Sequence, residues 1–368
     1  MNYSYWEIKE WFSNIDFTIV GSGIVGLNCA LELKKEHPKS NVLILEKGML
    51  PQGASTKNAG FACFGSLSEI IDDLHAHTTQ EVFNLVEKRW KGLGLLRENL
   101  GDKNIDFQQN KGFELFQDPT FFNECISKKE EINQLLNPIF KNDVFSTSKN
   151  NFGFQKVHQK YIVNNFEGQI DTGKMISHLL KKVQNIGVKI LNNITVESFI
   201  EGDKKVNIKT NISDFYTKKL LITTNGFAGQ LLDENIKPAR AQVIITEPIK
   251  NLQIKGTFHL DKGYYYFRNI DDRILFGGGR NLDFKTEETT HFGQTAIIQN
   301  ELERILKEII LPNTNFKIDQ RWSGIMGVGN QKKAIVKQLS NNVFCGVRLG
   351  GMGIAIGSLV GKELADLL

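Results

Sequence analysis

The chain has 368 residues, of which 40% are hydrophobic and 23% charged, and it carries a net charge of +4. So long a chain exceeds one ordinary hydrophobic core and predicts two domains of a globular protein. So small a charge gives no support to nucleic acid as a partner, and no apolar run reaches the length of a membrane span.

The opening stretch "MNYSYWEIKEWFSN" lacks the basic and then apolar layout of a secretory signal, so a cytoplasmic protein is expected. Residues 1–15 are an extension whose aromatics, Tyr3, Tyr5, Trp6 and Trp11, are expected to pack on the protein surface. Residues 16–20 predict a strand. A helix follows from Ile24 to Glu36, with Leu27, Ala30 and Leu31 on one face and Pro38 just beyond its end. The continuous apolar run Val42–Leu45 predicts a parallel strand buried on both faces. Together these form a right-handed βαβ unit with its glycine loop at the carboxyl edge of the sheet. Residues 66–100 and 120–140 predict helices, with a strand in "KGFELFQD" between them. Thr172 is a suitable N-cap for an amphipathic helix over 172–185. Successive strands occupy 187–226, and "LLITTNGFAG" (220–229) reads as a late strand returning to the first domain. "ARAQVIITEP", "KGYYYFRNI" and "RILFGGG" predict further strands, with a hairpin at Asp271 and Asp272. A helix over 294–310, a strand in "NVFCGV" and a last helix from Gly353 to Leu368 close the chain. Without repeats or a linker, the two domains are expected to be interleaved.

Gly21, Gly23 and Gly26 match G-x-G-x-x-G between a strand and a helix. The first glycine permits the turn, the second lets backbone approach a pyrophosphate, and the third lets helix and strand pack closely. The helix N-terminus offers free amides and a positive dipole to phosphate. Glu46, ending the next strand, can accept both ribose hydroxyls and would repel a 2′-phosphate, which disfavours NADP. Three features separate FAD from NAD. "GASTKNAGFACFG" (53–65) has small residues that let backbone pass close to a flat ligand, with Ser55, Thr56 and Asn58 as hydrogen-bonding groups. "LLITTNGFAG" ends a strand in a small, polar turn. "GVRLGGMGIAIGSLVG" (346–361) runs a strand into Gly350, Gly351 and Gly353, so that a small-residue helix aims its N-terminus at a ligand.

These motifs resemble those of the D-amino-acid-oxidase-like FAD-dependent oxidoreductases over nearly everything from Asp16 to Leu368. The residues that carry the resemblance are Gly21-Ser22-Gly23-Ile24-Val25-Gly26, Glu46, Gly53-Ala54-Ser55, Asn58-Ala59-Gly60, Thr224-Asn225-Gly226, Arg321-Trp322-Ser323-Gly324 and the C-terminal glycine loop. "GASTKNAGF" is particularly similar to the loop of the γ-glutamylputrescine oxidase branch. The resemblance implies an α/β fold with a Rossmann-type FAD-binding domain (16–85, 166–228 and 321–368) interleaved with a mixed-sheet substrate domain (86–165 and 229–320). It implies noncovalent FAD held by Gly21, Ser22, Gly23, Ile24, Val25, Gly26, Glu46, Lys47, Ala54, Ser55, Thr56, Asn58, Ala59, Gly60, Phe61, Val196, Thr224, Asn225, Gly226, Gly324, Arg348, Gly350, Gly351, Met352, Gly353 and Ile354. It implies oxidation of a carbon–nitrogen bond in a small amine or amino acid, giving an imine that hydrolyses, with hydride transfer to flavin N5. No strong general base is needed, in keeping with seven histidines that form no dyad: His75 and His77 lie i, i+2 on a predicted helix and face different ways.

Tyr264 falls where glycine oxidase keeps a substrate-binding tyrosine. Alternation puts Tyr266 and Arg268 on the face of Tyr264 and Tyr265 on the other. One position departs from the family. Its amino-acid oxidases often read Trp-x-Gly-x-Arg, whose arginine clamps the substrate carboxylate, and here Met326 ends the motif Trp322-Ser323-Gly324-Ile325. Arg348, Arg268 or Lys57 can replace it, or the substrate lacks an α-carboxylate. Two other readings stay open: a flavin enzyme of the tRNA wobble-uridine modification type, which would need a basic RNA-binding surface, and a flavoprotein scaffold without turnover. The four cysteines form no CxxC pair, which points away from zinc and disulfides, and the composition carries no signal of oligomeric state.

Overall fold

The computed structural model describes residues 2–368. Its first domain is an eight-stranded sheet. Ile15–Val20 lies between Val42–Leu45 and Asp214–Ile222, parallel to both, and Lys189–Leu191 and Val343–Val347 extend the parallel core on either side. Val42–Leu45 is buried at every position, as its unbroken apolar run predicts. Ile335–Gln338 pairs antiparallel at one edge, and Val196–Glu201 and Val206–Thr210 form a meander on Asp214–Ile222.

Helix Ile24–Glu36 packs on this sheet, and helix Gly353–Ala365 packs on that helix. Small residues make the approach possible. A methyl group at Gly361 would stand 2.7 Å from the carbonyl oxygen of Val25, and one at Gly357 would stand 2.5 Å from Ile24 Cγ2. Gly92, in helix Thr79–Leu100, meets the Ala355 carbonyl oxygen in the same way at 2.2 Å. The C-terminal helix is thereby wedged between two others, which fixes where its N-terminus points.

The second domain is a mixed eight-stranded sheet in the order Ile318–Val328, Lys237–Thr246, Arg273–Gly278, Tyr265–Ile270, Thr257–Leu260, Gly112–Leu115, Lys160–Asn164 and Phe145–Lys149. Only Thr257–Leu260 and Gly112–Leu115 pair parallel within it. One face buries Phe258, Phe267 and Phe276 against helix Ala296–Ile305 and the π-helical turn Leu306–Ile310 that continues it. The other face looks back at the first domain. The hairpin at Asp271 and Asp272 forms with both residues at positive φ.

Both architecture and interleaving follow the expectation, and several local details differ. The division at 85/86 falls inside the single helix Thr79–Leu100, and that at 320/321 inside strand Ile318–Val328, which hydrogen-bonds into the second sheet. Tyr5 and Trp6 do not pack down: they stack edge-on against each other and remain 69% and 67% exposed. The short turn is held through Tyr3, Phe12 and Phe215 instead, and a Ser4–Glu7 capping box fixes its direction. No helix among the described residues is long and apolar enough to cross a membrane.

Candidate active site

A cavity of about 870 Å³ lies between the two sheets, within the range of small-molecule and cofactor sites. Its first wall is the glycine loop. Gly21 sits at φ +104°, and Gly23 stands at the N-cap of helix Ile24–Glu36 with no side chain of its own between the helix start and the cavity. Gly21, Gly23, Ile24 and Val25 line the space. Gly26 does not: a methyl there would stand 2.1 Å from the Gly21 carbonyl oxygen, so its role is packing. Ser22 is also behind the wall. Its amide and hydroxyl donate to Glu46 Oε2 at 3.0 and 2.6 Å, while the Gly48 amide donates to Oε1 at 3.0 Å. These bonds hold the Glu46 carboxylate at the cavity edge, beside Lys47 and Val196.

The segment after Gly53 forms a second wall. Asn58 is its strut: Nδ2 donates to the carbonyls of Ala54 and Ser55, and Oδ1 accepts from the Gly60 amide and the Thr172 hydroxyl. Thr172 is therefore not the N-cap expected of it. Asp171 caps the helix by accepting from the Lys174 amide at 2.9 Å, because the Thr172 hydroxyl is already committed to Asn58. The Ser55 hydroxyl accepts from the Ile24 amide at 2.9 Å, joining the two walls. Ala54, Ser55, Asn58, Ala59, Gly60 and Phe61 line the cavity, whereas the Thr56 hydroxyl turns back onto the Pro51 carbonyl.

At the end of Asp214–Ile222, Thr223 donates to Val20, and Thr224 leaves a buried hydroxyl without a partner on the cavity wall. Asn225 Oδ1 accepts the Leu349 amide and ties this turn to the C-terminal loop. Gly226 is a packing residue, 2.6 Å in prospect from the Met326 carbonyl oxygen. Gly350 and Gly351 are open on the cavity side: a methyl at Gly350 would meet nothing within 4 Å, and one at Gly351 only Met326 Sδ at 4.0 Å. Met352, Gly353 and Ile354 follow at the start of helix Gly353–Ala365, which has no side-chain cap, so its positive end faces the cavity.

The remaining wall is the second sheet. Tyr266 and His259 are direct cross-strand partners, and Glu114 is the next partner along the same row. Tyr264 and Tyr266 both line the cavity, while Tyr265 turns to the opposite face, as alternation requires. Burial pushes the Tyr266 phenol up to about 12. Gly324 also lines the cavity, under the stem of Lys57.

The two arginines proposed from sequence are elsewhere. Arg348, with φ +63°, sends Nε to the Lys333 carbonyl and Nη1 to the Asn235 carbonyl, at 3.1 and 3.3 Å, and does not line the cavity. Its backbone is bent to start the glycine loop, which swings the side chain away. Arg268 does share the face of Tyr266, but it lies beneath the Asn58–Gly60 segment, 2% exposed, and burial pulls its guanidinium down to about 10.

The sequence reading missed His259. Its Nε2 donates to Glu167 Oε1 at 2.6 Å, with both residues buried. Burial opposes the charge on the ring, and Glu167 outweighs it, with help from Glu69 and Glu114, so the imidazolium is held up to about 9. The signal was present: in "GTFHLDKGYYYF" His259 alternates with Phe258 and Leu260 and so belongs to the polar face of its strand. Arg280 was missed as well, because it follows a strand rather than lying on one. Cys63 lines the cavity 3.8 Å from Met352 Sδ, and burial pushes its thiol well above the ordinary range. Among the described residues no three metal-ligating side chains converge.

Known proteins share the sequence pattern and the fold of this chain. The chain is 22% identical to a probable oxidoreductase, OrdL, of Haemophilus influenzae over 96% of its own length and 82% of the relative's. It is 21% identical to γ-glutamylputrescine oxidoreductase of Escherichia coli, covering 96% and 83% of the two chains. Its fold superposes on L-proline dehydrogenase of P. horikoshii with a TM-score of 0.79, at 18% identity and over 96% and 93% of the chains. The model of the DAO family, FAD dependent oxidoreductase, matches residues 16–367, and the chain belongs to that family.

Proposed function

We propose that this protein binds FAD noncovalently and uses it to oxidise a carbon–nitrogen bond of a small amine or amino acid. The carrying observation is that one cavity runs from the Glu46 carboxylate and the Gly21–Gly23 turn, past the open N-terminus of Gly353–Ala365, to the face bearing Tyr264 and Tyr266. The residues fit the cofactor. The glycine turn and helix start suit a pyrophosphate, Glu46 suits ribose hydroxyls, and the unpartnered Thr224 hydroxyl awaits a polar group. When bound, FAD supplies the two-electron acceptor for the reaction.

The chain's own part is to orient and to stabilise. The positive end of Gly353–Ala365 favours negative charge developing beside it. Tyr266 and Phe61, with ring centroids 5.7 Å apart, form an aromatic wall that keeps water from the reacting carbon. The Cys63 thiol stays protonated and the His259 Nε2 is engaged by Glu167, which supports noncovalent attachment. Four buried free cysteines support work in a reducing compartment such as the cytoplasm. The γ-glutamylputrescine and L-proline relatives both act on nitrogen-bearing compounds by their names, which supports this class of substrate.

The experiment is anaerobic mixing of the purified protein with a panel of amines and amino acids while following the visible flavin bands. Bleaching by one class is the expected result. A protein that cannot be loaded with FAD, or a flavin that no amine reduces, overturns the reading.

A further inference from the structure

The cations in and around the cavity decide how a substrate's negative group is met. Met326, at the position where the family's clamp is expected, presents only a thioether to the cavity. Arg348 is spent on the Lys333 and Asn235 carbonyls, and Arg268 is sealed beneath the Asn58–Gly60 segment. Lys262, on the cavity wall, is paired with Asp72 at 3.3 Å. Arg280 differs from these three. It lines the cavity, and its guanidinium makes no hydrogen bond or ion pair with any described residue. Lys57 also lines the cavity without an ion pair, its ammonium 5.9 Å from the Phe292 ring, but a lone ammonium lacks the two-donor fork of a guanidinium.

Its surroundings hold it in place without neutralising it. The guanidinium carbon stands 4.7 Å over the Phe284 ring, and the same ring meets Tyr264 edge-on at 6.0 Å. The Gly279 amide donates to the Tyr264 carbonyl at 2.9 Å, so Arg280 starts from a backbone pinned beside that tyrosine. The two nearby carboxylates are already taken: Glu287 by Arg240 at 2.7 Å and Glu288 by Lys237 at 3.1 Å. Burial pulls the Arg280 guanidinium below its ordinary value, with no bound acceptor to offset the cost. A planar fork of donors, stacked on an aromatic ring and facing a cavity, has the shape that receives a carboxylate through two parallel hydrogen bonds.

We propose that Arg280 is the specificity-determining cation of this site: it receives the carboxylate of the substrate, so the amines oxidised are carboxylate-bearing ones, with Tyr264 beside it. This rests on the amine-oxidising function proposed above. It also gives Met326 an explanation, since an anion held at Arg280 needs no second guanidinium across the cavity.

The test uses the flavin-loaded protein and two probes of equal shape, benzoate and benzamide, titrated by calorimetry so that turnover plays no part. The intact protein is expected to bind benzoate about tenfold or more tightly than benzamide, as a charge-assisted pair implies. Arg280→Met removes that preference and leaves benzamide affinity unchanged, and Arg280→Lys restores part of it. Equal affinities for the two probes in the intact protein overturn the proposal, and so does a preference that survives Arg280→Met or vanishes in Lys57→Gln instead. The two readings fail separately. If amines bleach the flavin but benzoate shows no dependence on Arg280, the oxidase reading stands and this one falls. If the Arg280 preference is found and no amine bleaches the flavin, the anion site stands without the proposed reaction.

Discussion

On the side of the first helix the cavity is bounded by backbone: Gly21, Gly23, Gly350 and Gly351, and between them two helix starts whose own N-cap residues give no side-chain hydrogen bond. On the side of the second sheet it is bounded by side chains: Tyr264, Tyr266, His259 and Arg280. Amides and helix dipoles recognise phosphate without regard to which side chains stand nearby, provided they are small. The sheet wall can be rewritten residue by residue while the strands that carry it stay in place. A wall of side chains can thus change what it recognises while the backbone wall opposite stays as it is.

This contrast can be broken most severely on the backbone side. Gly26→Val should cost about 3 kcal/mol or more, because the added carbon meets the Gly21 carbonyl with no soft atom to move. Gly351→Ala, by comparison, should change stability by no more than about 0.5 kcal/mol. Urea midpoints of both variants check this, and equal midpoints would refute the division between packing and cradle glycines. Next in size is Glu46→Ala, which should weaken FAD binding by about 1.5–3 kcal/mol while the fold is kept. A variant that retains flavin as tightly as the parent would remove Glu46 from the cofactor site.

The sheet side predicts a pH effect. His259 is held at about 9 against an ordinary 6.5, so the stability its charge contributes is complete below about pH 6.5. It is lost as pH rises through about 9. Glu167→Gln should flatten that decline between pH 7 and 10 in urea titrations, and a decline of the same slope in parent and variant would show that other groups cause it. The smallest effect is expected at Arg348→Met, about 1 kcal/mol from the two carbonyl bonds. The KM for the amine that bleaches the flavin should not move. A raised KM would put Arg348 back at the substrate.

Much of the nucleotide half was legible because its signals are short-range. Strand, glycine turn and helix are contiguous from Ile15 to Glu36, and Glu46 follows one strand later, so periodicity and spacing place them. The exact ends of Ile24–Glu36 and Thr172–Asn185 followed from the same local rules. The cap at Asp171 did not, since the choice between it and Thr172 depends on Asn58, more than a hundred positions away.

Sequence alone determined the βαβ start, the glycine turn followed one strand later by the Glu46 carboxylate, and the face shared by Tyr264 and Tyr266. Each rests on neighbours in the chain or on the two-residue period of a strand. Tertiary structure decided which cations reach the cavity. Arg348, Arg268 and Arg280 are alike as residues, and each can face a ligand or a carbonyl. Their fates were set by the positive φ of Arg348, by the Asn58–Gly60 segment lying over Arg268, and by the ring of Phe284 beneath Arg280. The His259–Glu167 pair was settled the same way, because only the fold brings the strand of His259 against the turn of Glu167, 92 positions away.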